Sequence, residues 1–302
     1  MQDILIRAGS YIAIIVLGYV LRTVGVFKED DFKVLSKIVI KITLPAALVA
    51  SFAGTKIDPS MLSLVGIGMG CGILYIILAV LMNLRAGGEQ QAFAILNVSG
   101  YNIGNFTLPF VQSFLGPVGM VTTSLFDAGN ACICLGTSFG IASLIKEHNG
   151  FSFTRIGKAL VSSIPFDCYV ILTVLNLAQI RLPGAVITFA QTIGNANAFL
   201  AMLMVGVGFK LAGDRTQLRS VLRIMVVRYG VAILLALVCW YVLPFDAEIR
   251  RTLAVLVFSP ITSAAPAFTA ELDGDVGLAS AISSLSIVCS IAAIMTMLLV
   301  MQ

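Results

Sequence analysis

Two carboxylates stand deep inside apolar sequence, Asp127 in TSLFDAGNACI and Asp167 in SSIPFDCYVIL. A charged carboxylate at mid-bilayer depth costs a few kcal/mol even on forgiving insertion scales, so such a residue faces a cavity or a partner and is a candidate proton carrier. Asn130 follows Asp127 by three positions, which puts an amide on the same helix face. A second group of residues marks broken backbone: Gly100, Gly104 and Pro109 interrupt one apolar stretch, and Pro260 and Pro266, with Thr262 and Ser263 between them, interrupt another. Proline removes a backbone donor and frees a carbonyl, which hydrocarbon tolerates only where something polar fills the gap. Lys41, four residues before Pro45, either snorkels to water or attracts an anion. The chemistry on offer is therefore ion coupling at Asp127, Asn130 or Asp167, and ligand binding at two helix breaks.

Metal chemistry finds no support. The six cysteines, Cys71, Cys132, Cys134, Cys168, Cys239 and Cys289, all lie in apolar stretches, and Cys132-x-Cys134 is too closely spaced and too isolated from soft ligands for zinc. His148 sits in a polar loop, and Glu271, Asp273 and Asp275 read as solvated helix ends. Ser283, Ser284 and Ser286 either line a site or bond between helices. No cofactor is expected, and a coupling ion, if one exists, is a proton or sodium.

The elements that must position these groups are membrane helices. Of 302 residues, 59% are hydrophobic and 11% charged, where soluble domains run near 25% charged, and this excludes a soluble enzyme. The net charge of +4 is too small and too dispersed for a nucleic-acid partner; the partner is the lipid bilayer. Apolar spans are expected at 4–24, 33–52, 60–82, 89–114, 117–144, 157–180, 184–211, 219–243, 248–271 and 276–300. They lack the alternation of a membrane barrel, so the fold class is an all-α membrane protein. The first span runs on into LRTVGVFKEDD without a cleavage pattern and reads as a retained helix.

Lys and Arg distribute unevenly between the span ends. One side collects Arg22, Lys28, Lys33, Lys37, Lys41, Arg85, Lys146, Arg155, Lys158, Lys210, Arg215, Arg219, Arg223 and Arg228; the other holds Arg7, Lys56, Arg181, Arg250 and Arg251. The positive-inside rule puts the first side in the cytoplasm and both termini outside, in agreement with an even number of spans.

The chain also resembles itself. GNFTLPFVQSFLGPVGMVTTS (104–124) matches TSAAPAFTAELDGDVGLASA (262–281), pairing Pro109 with Pro266, Gly116 with Gly274 and Gly119 with Gly277. The copies end the fourth and ninth spans and open the fifth and tenth. An offset of five spans is odd, so the second copy is inverted. Residues 1–145 form the first repeat, 146–156 a cytoplasmic connection and 157–302 the second repeat. Inverted repeats are the architecture of many secondary transporters, with sites near the midplane where broken helices meet.

GYVLRTVGVFKEDDFKVLSKIVIKITLPAALVASFAG (18–54), NIGNFTLPFVQSFLG (102–116) and PAFTAELDGDVGLASAISSLSIVCSI (266–291) resemble the auxin efflux carrier family, which contains the plant PIN-FORMED carriers and bacterial organic-acid permeases for malate, malonate and related acids. Its most specific element is Asn102 ahead of Leu108-Pro109, supported by Leu44-Pro45; Thr107 stands where the family pattern has glycine. The resemblance implies ten transmembrane helices in two inverted five-helix repeats with broken, crossing helices four and nine. It also implies transport of a small organic anion across the cell (inner) membrane by alternating access, a homodimer, and a role for Asn102 in holding the substrate carboxylate. A broken helix suits an anion because its free N–H groups carry partial positive charge, and Asn102 adds two amide donors. Asn105 serves either the ligand or the break, and Thr262 and Ser263 join the substrate site by position relative to Pro266.

A cation/proton antiporter with crossed broken helices remains an alternative, although it would usually carry a denser acidic cluster. So does a membrane sensor that binds a small anion without moving it. An intramembrane aspartyl protease on Asp127 and Asp167 is disfavoured because neither lies in a GxGD setting.

Overall fold

The expected apolar stretches fold as helices. The structure, a computed structural model, describes residues 2–28, 30–147, 151–209 and 218–301, the side chains of 2–5, 147, 218 and 219 aside. His148, Lys210 and Arg215, and the side chain of Arg219, lie outside the described residues. The first half holds α1 (Gln2–Thr23), α2 (Asp31–Ile38), α3 (Leu44–Ala53), α4 (Ser63–Met82), α5 (Gly88–Val98), α6 (Leu108–Phe114), α7 (Gly116–Cys132) and α8 (Ser138–Glu147). The second holds α9 (Phe153–Val161), α10 (Ile164–Leu177), α11 (Gly184–Gly194), α12 (Asn197–Gly208), α13 (Leu218–Tyr241), α14 (Ala247–Leu256), α15 (Ala265–Glu271) and α16 (Val276–Val300). Among the described residues extended pairing is confined to one isolated bridge, Tyr101 with Ile261.

Among the described residues seven helices are long and apolar enough to cross a membrane, or eight where the pair α9 and α10, bent by 75°, is counted as one span. This is fewer than the ten spans expected, and the reason is local. The stretches 89–114 and 248–271 are each divided, into α5 and α6 and into α14 and α15, and none of the four pieces is long enough to span alone. Large apolar side chains such as Phe189, Val226 and Leu234 are exposed, as on a surface that meets lipid.

Small residues bring the helices together. A Cβ on Gly68 of α4 would run into the Phe126 carbonyl of α7, and one on Gly129 of α7 into the Val65 carbonyl of α4. Close backbone approach of this kind takes the place of the hydrophobic effect between helices in lipid.

The two copies of the internal repeat behave alike. Pro266 lies in the first turn of α15, where a missing N–H goes unnoticed because that position has no helical acceptor, while Pro109 opens α6 directly after a π-helical turn, Ile103–Thr107, whose altered bonding leaves room for it. The crossover after each contains a left-handed residue, Gly116 (φ 63) and Asp273 (φ 49), so the turn position matching Gly116 is Asp273 and not Gly274. At one end of the bundle the Arg155 guanidinium meets Glu271 Oε1 at 2.6 Å, and Lys146 bonds the Leu272 carbonyl. Glu271 is thus paired, and Asp275 caps α16 by accepting from the Leu278 N–H at 2.8 Å.

Candidate functional site

The two backbone breaks meet. α5 ends at Val98 and α14 at Leu256, and the chain between each end and its next helical turn is extended or irregular. The Asn102 N–H donates to the Pro260 carbonyl at 2.8 Å and the Thr262 N–H to the Gly100 carbonyl at 3.2 Å. Each break satisfies groups the other leaves open, which hydrocarbon demands. Gly100 permits the approach, since a Cβ there would lie 2.7 Å from Cys134 Sγ and 2.8 Å from the Thr262 side chain. Thr107, at the position where the family pattern has glycine, donates to Ser259 Oγ at 2.7 Å and so ties the breaks together again.

Side chains from the helices that follow each break complete the satisfaction. Asn130 Oδ1 accepts from the Tyr101 N–H and its Nδ2 donates to the Tyr101 carbonyl, both at 3.0 Å. Ser286 Oγ accepts from the Ile261 N–H at 3.1 Å. Asn130 therefore braces the first break and Ser286 the second, and the bonding role of Ser286 is the one observed.

Beside the breaks lies a cavity of about 280 Å³, lined by Lys41, Leu44, Tyr101, Asn102, Gly104, Asn105, Asp127, Asn130, Ser162, Ser163, Tyr169, Thr262 and Ser263, with apolar neighbours. Its inner wall is buried at Tyr101, Asp127, Asn130 and Tyr169, while Lys41, Ser162 and Ser263 are exposed and form the mouth. On the inner wall Asp127 Oδ1 accepts from Asn130 Nδ2 at 2.8 Å and Oδ2 from the Tyr169 hydroxyl at 2.9 Å. Asn105 Nδ2 reaches Ser263 Oγ at 3.4 Å across the crossing, and its Oδ1 is buried with no partner among the described residues. Asn102 lines the cavity, and its carboxamide has no hydrogen bond to any described residue.

Of the residues singled out from sequence, Asn102, Asn105, Thr262, Ser263, Asp127, Asn130 and Lys41 come together on this cavity. Pro109 and Pro266 do not line it; they start the half-helices α6 and α15 beyond the breaks. Asp167 does not reach it either. The bend between α9 and α10 puts Asp167 in the first turn of α10, half-exposed, and it is Tyr169, two residues on, that faces the cavity.

Arg228 is the residue that sequence reasoning misplaced. Counted there with the cytoplasmic charges, it is 1% exposed in the middle of α13. It lies ten residues into that helix, about 15 Å along the axis at 1.5 Å per residue. Its guanidinium lies 4.5 Å from the Tyr75 ring centroid and 4.1 Å from that of Tyr101. Desolvated contacts of this type are worth about 2 kcal/mol each. Nη1 donates to the Val98 carbonyl at 2.5 Å and Nη2 to the Ser259 carbonyl at 3.1 Å. The signal available in sequence was depth: Arg228 is five residues further along an apolar helix than Arg223, which is exposed.

Residues 10–148, just under half of the chain, match the family model described as membrane transport protein. An uncharacterized transporter of Methanothermobacter thermautotrophicus (strain Delta H) is 26% identical over 289 residues, which cover 93% of each chain. Over residues 10–148 the chain is thus similar to membrane transport proteins, and its long apolar helices make it a multi-pass membrane protein.

Proposed function

We infer that the protein is a secondary transporter of small organic anions, carrying carboxylates of the malate or auxin type across the cell membrane by alternating access. The observation that carries this reading is the cavity at the meeting of the two breaks, where Asn102, its carboxamide without a partner among the described residues, stands beside Asn105, Thr262 and Ser263 with Lys41 at the mouth. Amide and hydroxyl donors hold a carboxylate without burying a full counter-charge beside it, and Lys41 adds attraction at the entrance. A volume of about 280 Å³ suits a small acid and is near the lower limit of ordinary ligand pockets.

The matching placement of Pro109 and Pro266, the left-handed crossover residues Gly116 and Asp273, and the mutual bonding of the breaks support a ten-span, inverted-repeat organisation in which α5–α6 and α14–α15 are the fourth and ninth spans. With the mouth on the side of Lys41 and Ser162, the positive-inside orientation makes this an inward-facing state with both termini outside.

Asp127 is the observation that favours a second reading, a cation/proton antiporter. Among the described residues it is the one carboxylate on the cavity wall, and both of its oxygens are taken by Asn130 and Tyr169. In the anion reading it is the proton-coupling group. A structure determined with malonate distinguishes the two: density for the acid against Asn102 supports the anion carrier, and an empty cavity with a cation on Asp127 supports the antiporter.

A further inference from the structure

The C-terminal ends of α5 and α14 converge inside the protein, where the Val98 carbonyl and the Ser259 carbonyl just beyond α14 meet the same side chain, although the carbonyls of Leu253, Val255 and Leu256 of α14 are already bonded within its own last turn. Each helix end carries about half a negative charge, so two together approach one full negative charge. In low dielectric that charge needs compensation, and the usual solution is a bound cation. Here the compensation is built in. The Arg228 guanidinium donates to Val98 at the end of α5 and to Ser259 beyond the end of α14, and two tyrosine rings enclose it. Arg228 has no acidic partner among the described residues: the ion pairs there are Lys33 with Asp30 and Arg155 with Glu271, and Asp127 is engaged by Asn130 and Tyr169. Tyr101 separates Arg228 from the cavity, with its ring against the guanidinium and its residue on the cavity wall.

We propose that Arg228 is the fixed counter-cation of the helix crossing and determines that the cavity takes an anion and not a cation. With Arg228 in place the two carbonyl ends contribute no net negative field at the cavity, and Lys41 and the amide donors set its preference. Without that charge the same ends would repel a carboxylate and attract sodium. Arg228 acts through the crossing and does not touch the substrate, so it is a positioning residue. The inference rests on the anion reading of the cavity.

The test is ligand-induced thermal stabilisation of the purified protein by malonate and by malonamide, its neutral counterpart, for wild type, Arg228→Gln, Arg228→Lys and Cys71→Asp. Cys71 lies within electrostatic reach of Arg228, so an aspartate there neutralises the guanidinium without removing it. Wild type is expected to bind malonate in preference to malonamide. Arg228→Gln and Cys71→Asp should each weaken malonate at least tenfold while leaving malonamide within about threefold, and Arg228→Lys should retain the preference for the acid. Should Arg228→Gln fail to fold, Cys71→Asp and Arg228→Lys still decide the matter. Folded Cys71→Asp with wild-type malonate affinity, or Arg228→Lys without the preference, overturns the proposal while the anion reading stands. Wild type indifferent to malonate and to a panel of other small carboxylates overturns the anion reading, and this inference with it.

Discussion

The Asn102 N–H and the Pro260 carbonyl, 158 positions apart in the chain, are joined by a hydrogen bond of 2.8 Å. This bond and its neighbour from Thr262 to Gly100 tie the two helix breaks together. The side chain of Asn102 takes no part in bracing the break among the described residues, while that work falls to Asn130.

That division of labour separates two asparagines by experiment. Asn130→Leu strands the Tyr101 N–H, leaves the Tyr101 carbonyl with the weaker Cys134 thiol donor, and removes a donor to Asp127. Each buried polar group left unpaired costs about 1–3 kcal/mol, so thermal unfolding in detergent should fall by several degrees. Asn102→Ala removes no recorded bond to a described residue and should unfold within about 2 °C of wild type. A large loss of stability in Asn102→Ala would assign it to the break.

Gly104 tests the cavity by volume. A Cβ there meets Leu44, Asp127 and Tyr169 at 3.7–3.9 Å, ordinary contact distances, so alanine fits. A larger side chain enters the cavity between Asp127 and Tyr169. Gly104→Ala is expected to retain ligand binding and Gly104→Leu to lose it more than tenfold, read by stabilisation with the transported acid. Equal binding by the leucine variant would put the ligand elsewhere.

Much of this arrangement was legible in the sequence. The repeat around Pro109 and Pro266 located both breaks, and Asn102, Asn105, Asp127, Asn130, Thr262 and Ser263 were drawn to one place because they flank those breaks or share a helix face with a residue that does. Three things were hidden. The 75° bend between α9 and α10 exchanges Asp167 for Tyr169 at the cavity, and hydropathy does not register a bend. Pro266 begins a helix and Pro109 follows a π-helical turn, and neither stands in a gap, because proline is tolerated in a first turn or beside a π-turn as well as being a helix breaker. By sequence alone Arg228 reads as a cytoplasmic charge, because its partners are backbone carbonyls, which leave no mark in a list of residue types.

Coupling is tested at Asp127. An uncompensated carboxylate opposes movement of the substrate's own charge through low dielectric, so a proton on Asp127 should travel with the substrate. Uptake should then respond to an imposed pH gradient at fixed voltage. Asp127→Asn keeps the shape but cannot ionise, and it should abolish that response with ligand binding changed by less than about threefold, a shift under 0.7 kcal/mol. Wild-type uptake indifferent to the gradient would mark a uniporter.

The mouth of the cavity gives a topological test. In a cysteine-free background, Ser263→Cys should react with a membrane-impermeant maleimide from the cytoplasmic side and be protected by ligand, since Ser263 is exposed at the mouth. Labelling from the outside would reverse the orientation derived from the Lys and Arg distribution.

Uptake of labelled small carboxylates into proteoliposomes, compared between wild type and Asn102→Ala at equal reconstituted amounts, tests the anion-carrier reading most directly. Saturable uptake of at least one acid by wild type is expected, with Asn102→Ala lowering it at least tenfold, or about 1.4 kcal/mol, at unchanged thermal stability. Wild-type rates in the folded Asn102→Ala variant, or no uptake of any carboxylate by wild type, would contradict it.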